Sequence, residues 1–88
     1  MSNSIQISKD ILAQELDGET VLLDLASDSF FGLDAVSTRV WNLLQDGADE
    51  GQIVDALLEE FEVGREVLEG DVAELLNQLE QSGLIRRG

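Results

Sequence analysis

The chain has 88 residues, of which 19 are acidic and 5 basic, giving a formal net charge of −14. That length allows one domain with a modest core, and the charge opposes nucleic acid and anionic lipid by Coulomb repulsion. Cysteine, histidine and tyrosine are absent, which removes disulfides, thiol nucleophiles, thiolate or imidazole zinc sites and the usual general base.

In chain order, residues 11–16 (ILAQEL) are predicted to form a first strand. Asp17-Gly18 then reads as a hairpin turn, because both residue types tolerate positive φ. The second strand is TVLLDL, 20–25, with Val21, Leu23 and Leu25 on one face by period-two alternation. Ala26-Ser27-Asp28-Ser29 turns the chain into a third strand, Ser29 to Leu33, and the resulting meander leaves the first and third strands as edges. Asp34 suits the N-cap of a first helix carrying Val36, Val40, Trp41 and Leu44 at helical spacing. Asp46-Gly47 ends that helix, and Asp49 with Gln52 forms a capping box for a second. The second helix carries the stripe Ile53, Val54, Leu57, Leu58 and Phe61. Gly64 breaks the chain before a third helix with the stripe Leu68, Val72, Leu75, Leu76 and Leu79. Ser82-Gly83 stops it, Leu84-Ile85 adds a short final segment, and 86–88 read as a solvated tail. Residues 1–10 read as a flexible arm of the single 1–88 domain.

Three antiparallel strands followed by three helices predict an α+β domain of winged helix-turn-helix type. The third helix nevertheless carries Glu66, Glu69, Asp71, Glu74 and Glu80, the wrong sign for phosphates. DNA binding is rejected on that ground despite the layout, and a basic or weakly basic peptide suits the charge better. Catalysis would have to rest on carboxylates, Lys9, hydroxyls and four arginines. Paired carboxylates need a cleft that perturbs them, which a chain this short is poorly able to build. No enzymatic activity, catalytic residue, cofactor or metal is therefore expected. No apolar run approaches the ~18 residues of a membrane span. The start, MSNSIQISKD, lacks the basic and apolar regions of a signal peptide, so a soluble, cytoplasmic protein is expected.

The runs FFGLDAVSTRVWNLL, DGADEGQIVDALLEEFEV and EVLEGDVAELLNQLEQSGLI resemble the PqqD-like family of peptide-recognition domains. These domains belong to pathways that make ribosomally synthesised and modified peptides. The shared pattern is a strand ending in Gly-Leu-Asn/Asp, then Ile/Val-Trp-x-Leu-Leu, an Asp-Gly turn, an Ile-Val-x-x-Leu helix and a closing Gly-Leu-Ile/Val, over about residues 11 to 85. Asp34 stands where the family often has Asn, and either residue caps a helix. Phe30-Phe31-Gly32 is closer to stand-alone members from lasso-peptide clusters than to pyrroloquinoline quinone pathway proteins. The resemblance implies binding of a precursor's leader segment as an added strand on the third strand, against the third helix. It also implies delivery of that leader to a maturation enzyme such as a leader peptidase.

The implied peptide site is Ser29, Phe30, Phe31, Gly32 and Leu33, with Val67, Asp71 and Leu75 on one shoulder of the third helix. At about 100° per residue, Val67 and Asp71 fall roughly 130° and 90° from the centre of the buried face. One phenylalanine of the pair must be core and the other free. Val67 also fits an ordinary exposed residue, and the edge fits a strand kept short for protection. A small accessory subunit stabilising a biosynthetic enzyme, and a winged-helix regulator, are the alternative functions.

Overall fold

The computed structural model of the chain describes residues 5–87. Four strands come first: β1 (Ile5–Ile7), β2 (Ile11–Leu16), β3 (Glu19–Asp24) and β4 (Ser29–Leu33). Three helices follow, α1 (Ala35–Gln45), α2 (Glu50–Glu60) and α3 (Arg65–Gln81), and then β5 (Ile85–Arg87). The fold is α+β, with β2-β3-β4 an antiparallel meander and β1-β5 a separate two-stranded sheet.

Turn chemistry sets the register of the meander. Asp17 and Gly18 have φ of 55° and 81°. Two successive left-handed residues match the twist of a two-residue hairpin. They lock Leu16 opposite Glu19 and Ile11 opposite Asp24. Asp28, at φ 60°, closes the next turn, and its N–H donates to the Asp24 carbonyl at 2.8 Å.

The register also decides which face of β3 is covered. Thr20 and Leu22 are buried, whereas Val21 and Leu25 are exposed and Leu23 is half-buried. The face shared by Val21, Leu23 and Leu25 is therefore the outer one, and the core side belongs to the intervening residues. Alternation separates the two faces, but with Val and Leu on one and Leu on the other it cannot say which receives the helices. On the inner face, Thr38 of α1 donates its hydroxyl to Thr20 of β3 at 3.0 Å, a buried contact. Around it Leu22, Leu33, Val40, Trp41 and Leu44 join one core with the stripes of α2 and α3.

The helix signals hold. The Asp34 carboxylate accepts the Ser37 N–H at 2.8 Å. Asp49 and Gln52 form a reciprocal capping box at 2.9 and 3.0 Å. Helix α3 starts at Arg65, one residue before the predicted acidic run, and this guanidinium is ion-paired to Asp55 of α2. Arg39 of α1 grips Glu60 at the end of α2 through both carboxylate oxygens. That hydrogen bond holds the Glu60 carboxyl below its ordinary range and raises Arg39.

The ends of the described chain differ from expectation. Residues 5–7, expected within a flexible arm, form β1 and pair with β5: Ile5 faces Arg87 and Ile7 faces Ile85. The Ser8 hydroxyl donates to the Gly83 carbonyl at 2.6 Å. Arg86 and Arg87, expected as a tail, lie in β5, with Arg87 paired to Glu80 and Glu50. Strands of three residues carry too short a pattern to be legible; what forms them is coverage of the core by Ile5, Ile7 and buried Ile85. Residues 1–4 of the arm and Gly88 of the tail lie outside the described residues.

Two outcomes follow for denaturant unfolding. Leu22→Ala, at a side chain with no exposure, is expected to cost about 2–5 kcal/mol, and Val21→Ala on the outer face far less. A Glu60 carboxyl depressed in the folded state adds stability above its unfolded pKa and loses it as pH falls through the folded value. Both partners are partly solvated, with side chains 39% and 35% exposed. Glu60→Gln is therefore expected to cost under about 1 kcal/mol at neutral pH and nothing in strong acid.

Candidate functional site: a strand edge beside an acidic helix

Among the described residues, strand β4 pairs with β3 on one side only, from Ser29 opposite Asp24 to Leu33 opposite Thr20. In an antiparallel ladder alternate residues point both N–H and C=O away from the partner. The outward groups of β4 are therefore available to another extended chain. The paired phenylalanines separate as the pleat requires. Phe31 is half-buried against the core, while Phe30 is 77% exposed on the outer face. Leu33 is buried, Ser29 and Gly32 are exposed, and the Ser29 hydroxyl lies 2.7 Å from that of Ser27.

Two clefts flank the ends of this strand, one between its start and the residues just past α3, the other between the start of α1 and α3. The first, about 190 Å³, is at the start of β4, lined by Ser29, Phe30 and Phe31 together with Ser82 and Leu84 just past α3. The second, about 240 Å³, is where β4 gives way to α1. Its floor is Val40, Leu68 and Val72, its walls are Val36 and Leu75, and its rim carries Asp34, Ser37 and Asp71. One cleft thus lies at each end of β4, and α3 or the segment just past it walls both. An extended peptide laid along β4 would find backbone partners on the strand and, past its end, an apolar trough with carboxylates at the rim.

The structure divides the residues singled out from sequence between separate clefts. Ser29, Phe30 and Phe31 line the first cleft, Asp71 and Leu75 the second. Gly32 and Leu33 lie between them on the strand, bordering a shallow depression with Glu19 and Val21. Val67 is 59% exposed and lies outside both clefts. One turn of helix separates it from Asp71, and that turn carries it past the mouth of the trough. Sequence reasoning missed Val36, Ser37, Ser82 and Leu84. Val36 matched the helical stripe, so it read as core, yet it is 39% exposed at the first turn of α1, on the wall of the second cleft.

An edge strand paired on one side and an apolar trough between two helices past its end define a domain of winged type. The chain belongs to the PqqD family: the family model described as "Coenzyme PQQ synthesis protein D (PqqD)" matches residues 19–85. No curated protein gives a significant match. Two solved structures are similar over nearly their whole length. The first is "TbiB1 in Complex with the TbiA(beta) Leader Peptide", 38% identical, covering 92% of this chain and 94% of that one, with a TM-score of 0.88. The second is "Lasso peptide synthetase B1 complexed with the leader peptide", 27% identical, covering 93% and 96%, with a TM-score of 0.85.

Amide hydrogen exchange tests the geometry of the edge. Alternate amides of β4 are expected to exchange as solvent-exposed groups, and those of the central strand β3 to be protected. Uniform protection along β4 would mean that something already pairs with it.

Proposed function

We propose that the protein binds the leader segment of a ribosomally made precursor peptide as an extra strand on β4 and delivers it to a maturation enzyme. Lasso-peptide biosynthesis is the pathway type and a leader peptidase the receiving enzyme. The observation that carries the reading is the unpaired edge of β4 leading to the trough between α1 and α3, in a chain similar throughout to leader-bound B1 structures. The domain performs no reaction of its own in this reading. Members of the family act by recognition, and the site consists of backbone groups, apolar walls and two rim carboxylates. A cytoplasmic location fits a partner made on the ribosome, and among the described residues no helix is long and apolar enough to cross a membrane.

Magnitudes assign the roles. About four ladder hydrogen bonds contribute roughly 1 kcal/mol net each. Ordering a flexible peptide costs about 1–2 kcal/mol per residue in backbone entropy alone. The ladder therefore sets direction and register without holding the leader. Two apolar side chains entering the clefts would add roughly 1.5–3 kcal/mol each and supply the affinity. Asp34 and Asp71 at the rim favour leader positions with neutral or basic side chains. The proposed site is thus the β4 backbone with Phe31, Val36, Asp71 and Leu75, and Val67 is a neighbour outside it.

Titration of a labelled cognate leader peptide tests this. Leu75→Ser is expected to weaken binding by about tenfold or more, consistent with losing one buried anchor, and Val67→Ser to leave it within about twofold. Replacing the leader's apolar residues with Ala should weaken binding similarly; an unchanged dissociation constant would refute the anchor model. A domain that binds the enzyme but no leader would instead be an accessory subunit.

A further inference from the structure

The outer face of the β2-β3-β4 sheet is apolar and, among the described residues, uncovered. Leu12, Leu23 and Phe30 lie directly opposite one another across the three strands. Val21 sits in the next outward row, and Leu16 beyond it on β2. Leu12, Leu16, Val21 and Phe30 are 53%, 75%, 49% and 77% exposed. Side chains opposite one another in a sheet touch, so these residues form one patch rather than scattered apolar points. The core does not account for them, because the helices cover only the inner face. Nor does the proposed leader site, which reaches this face only at Phe30. Contiguous exposed apolar surface of this kind marks a protein contact.

Charge identifies the occupant. Asp10, Asp17, Glu19 and Asp28 rim the patch, three of them in the turns that bound the strands. None has a basic partner among the described residues, whereas Arg39, Arg65 and Arg87 are each committed to carboxylates elsewhere. No Lys or Arg occurs between Asp10 and Thr38. A second copy of the chain docked face to face would bring two such rims together, and like charges oppose that pairing. A surface with an apolar centre and a Lys/Arg rim fits the patch and the rim at once. Gly32 adds a shape feature: with no side chain opposite Val21, it leaves an open depression of about 280 Å³ flanked by Glu19 and Asp34. An aliphatic stem ending in a cation can lie there.

We propose that this face docks the enzyme that receives the leader, through an apolar patch on that enzyme ringed by basic side chains. The inference rests on the leader-delivery reading for the identity of the partner. The surface is distinct from the leader groove but continuous with it at Phe30, so an enzyme seated there meets the outward side chains of a strand added to β4. The domain would hold the peptide on its edge and the enzyme on its face.

The test uses the leader peptidase of the same biosynthetic system, immobilised, with the full chain as analyte. Leu12→Gln combined with Leu16→Gln changes β2, the strand farthest from the groove. It is expected to weaken peptidase binding by about tenfold or more while the leader dissociation constant stays within about twofold, which also reports that the variant is folded. Asp17→Asn combined with Glu19→Gln keeps the patch and removes rim charge; it is expected to slow association and reduce its salt dependence. Unchanged peptidase binding in both variants overturns the proposal. So does a wild-type dimer by light scattering that the Leu12/Leu16 variant abolishes, since the face then belongs to a second copy. Failure of the wild-type chain to bind leader overturns the delivery reading instead, and docking on the face is still scored by the peptidase arm.

Discussion

The seating of α1 on the inner face of the meander is the constraint on which the rest depends. The buried Thr38–Thr20 hydrogen bond joins helix to central strand at the level where β4 ends in buried Leu33. Asp34 then leaves the strand and caps the helix in the same step. Because Trp41, Val40 and Leu44 join Leu22 and Leu33 in one core, the inner side of β3 and β4 is covered by α1 and the sheet cannot add a layer there. The two surfaces left over, the β4 edge and the outer face, follow from that single packing decision.

Helix α3 gains its role from the same arrangement. Its buried stripe holds it to the core through Leu68, Val72, Leu76 and Leu79, while Leu75 and Asp71 line the cleft against the start of α1. A helix in this position in a winged domain commonly meets nucleic acid; here its exposed surface is acidic and its basic residue, Arg65, is tied to Asp55. The trough is apolar at its floor and negative at its rim. Its charge opposes a phosphate backbone.

The small β1-β5 sheet does a different job. It draws the two ends of the described chain together and covers the core with Ile5, Ile7 and Ile85. Its closure also holds Leu84 at the end of α3, where that residue lines the first cleft with Phe31. The terminal strands, which contribute no groove residue beyond this neighbourhood, thus set where the first cleft lies.

Much of this was legible in the sequence, because it rests on local chemistry. Asp17-Gly18, Asp34 and the Asp49–Gln52 box act within a few residues of themselves, so they specified the hairpin and two helix starts. The third-helix stripe and its acidic exposed residues likewise argued against nucleic acid. What needed the tertiary structure was every choice between equivalent faces. Val21 and Leu23 alternate with Leu22, and only the placement of α1 makes Leu22 core and leaves the others outside. Phe30 and Phe31 are identical side chains, and only the register separates a wall of the core from an exposed ring. Val67 and Leu75 are both apolar flank residues of α3, and only the tertiary structure puts Leu75 in the lining of the cleft against α1 and leaves Val67 exposed outside it. A sequence states which residues share a face through the periods of strand and helix. Which face becomes core, edge or contact surface depends on residues far apart in the chain, and packing alone decides it.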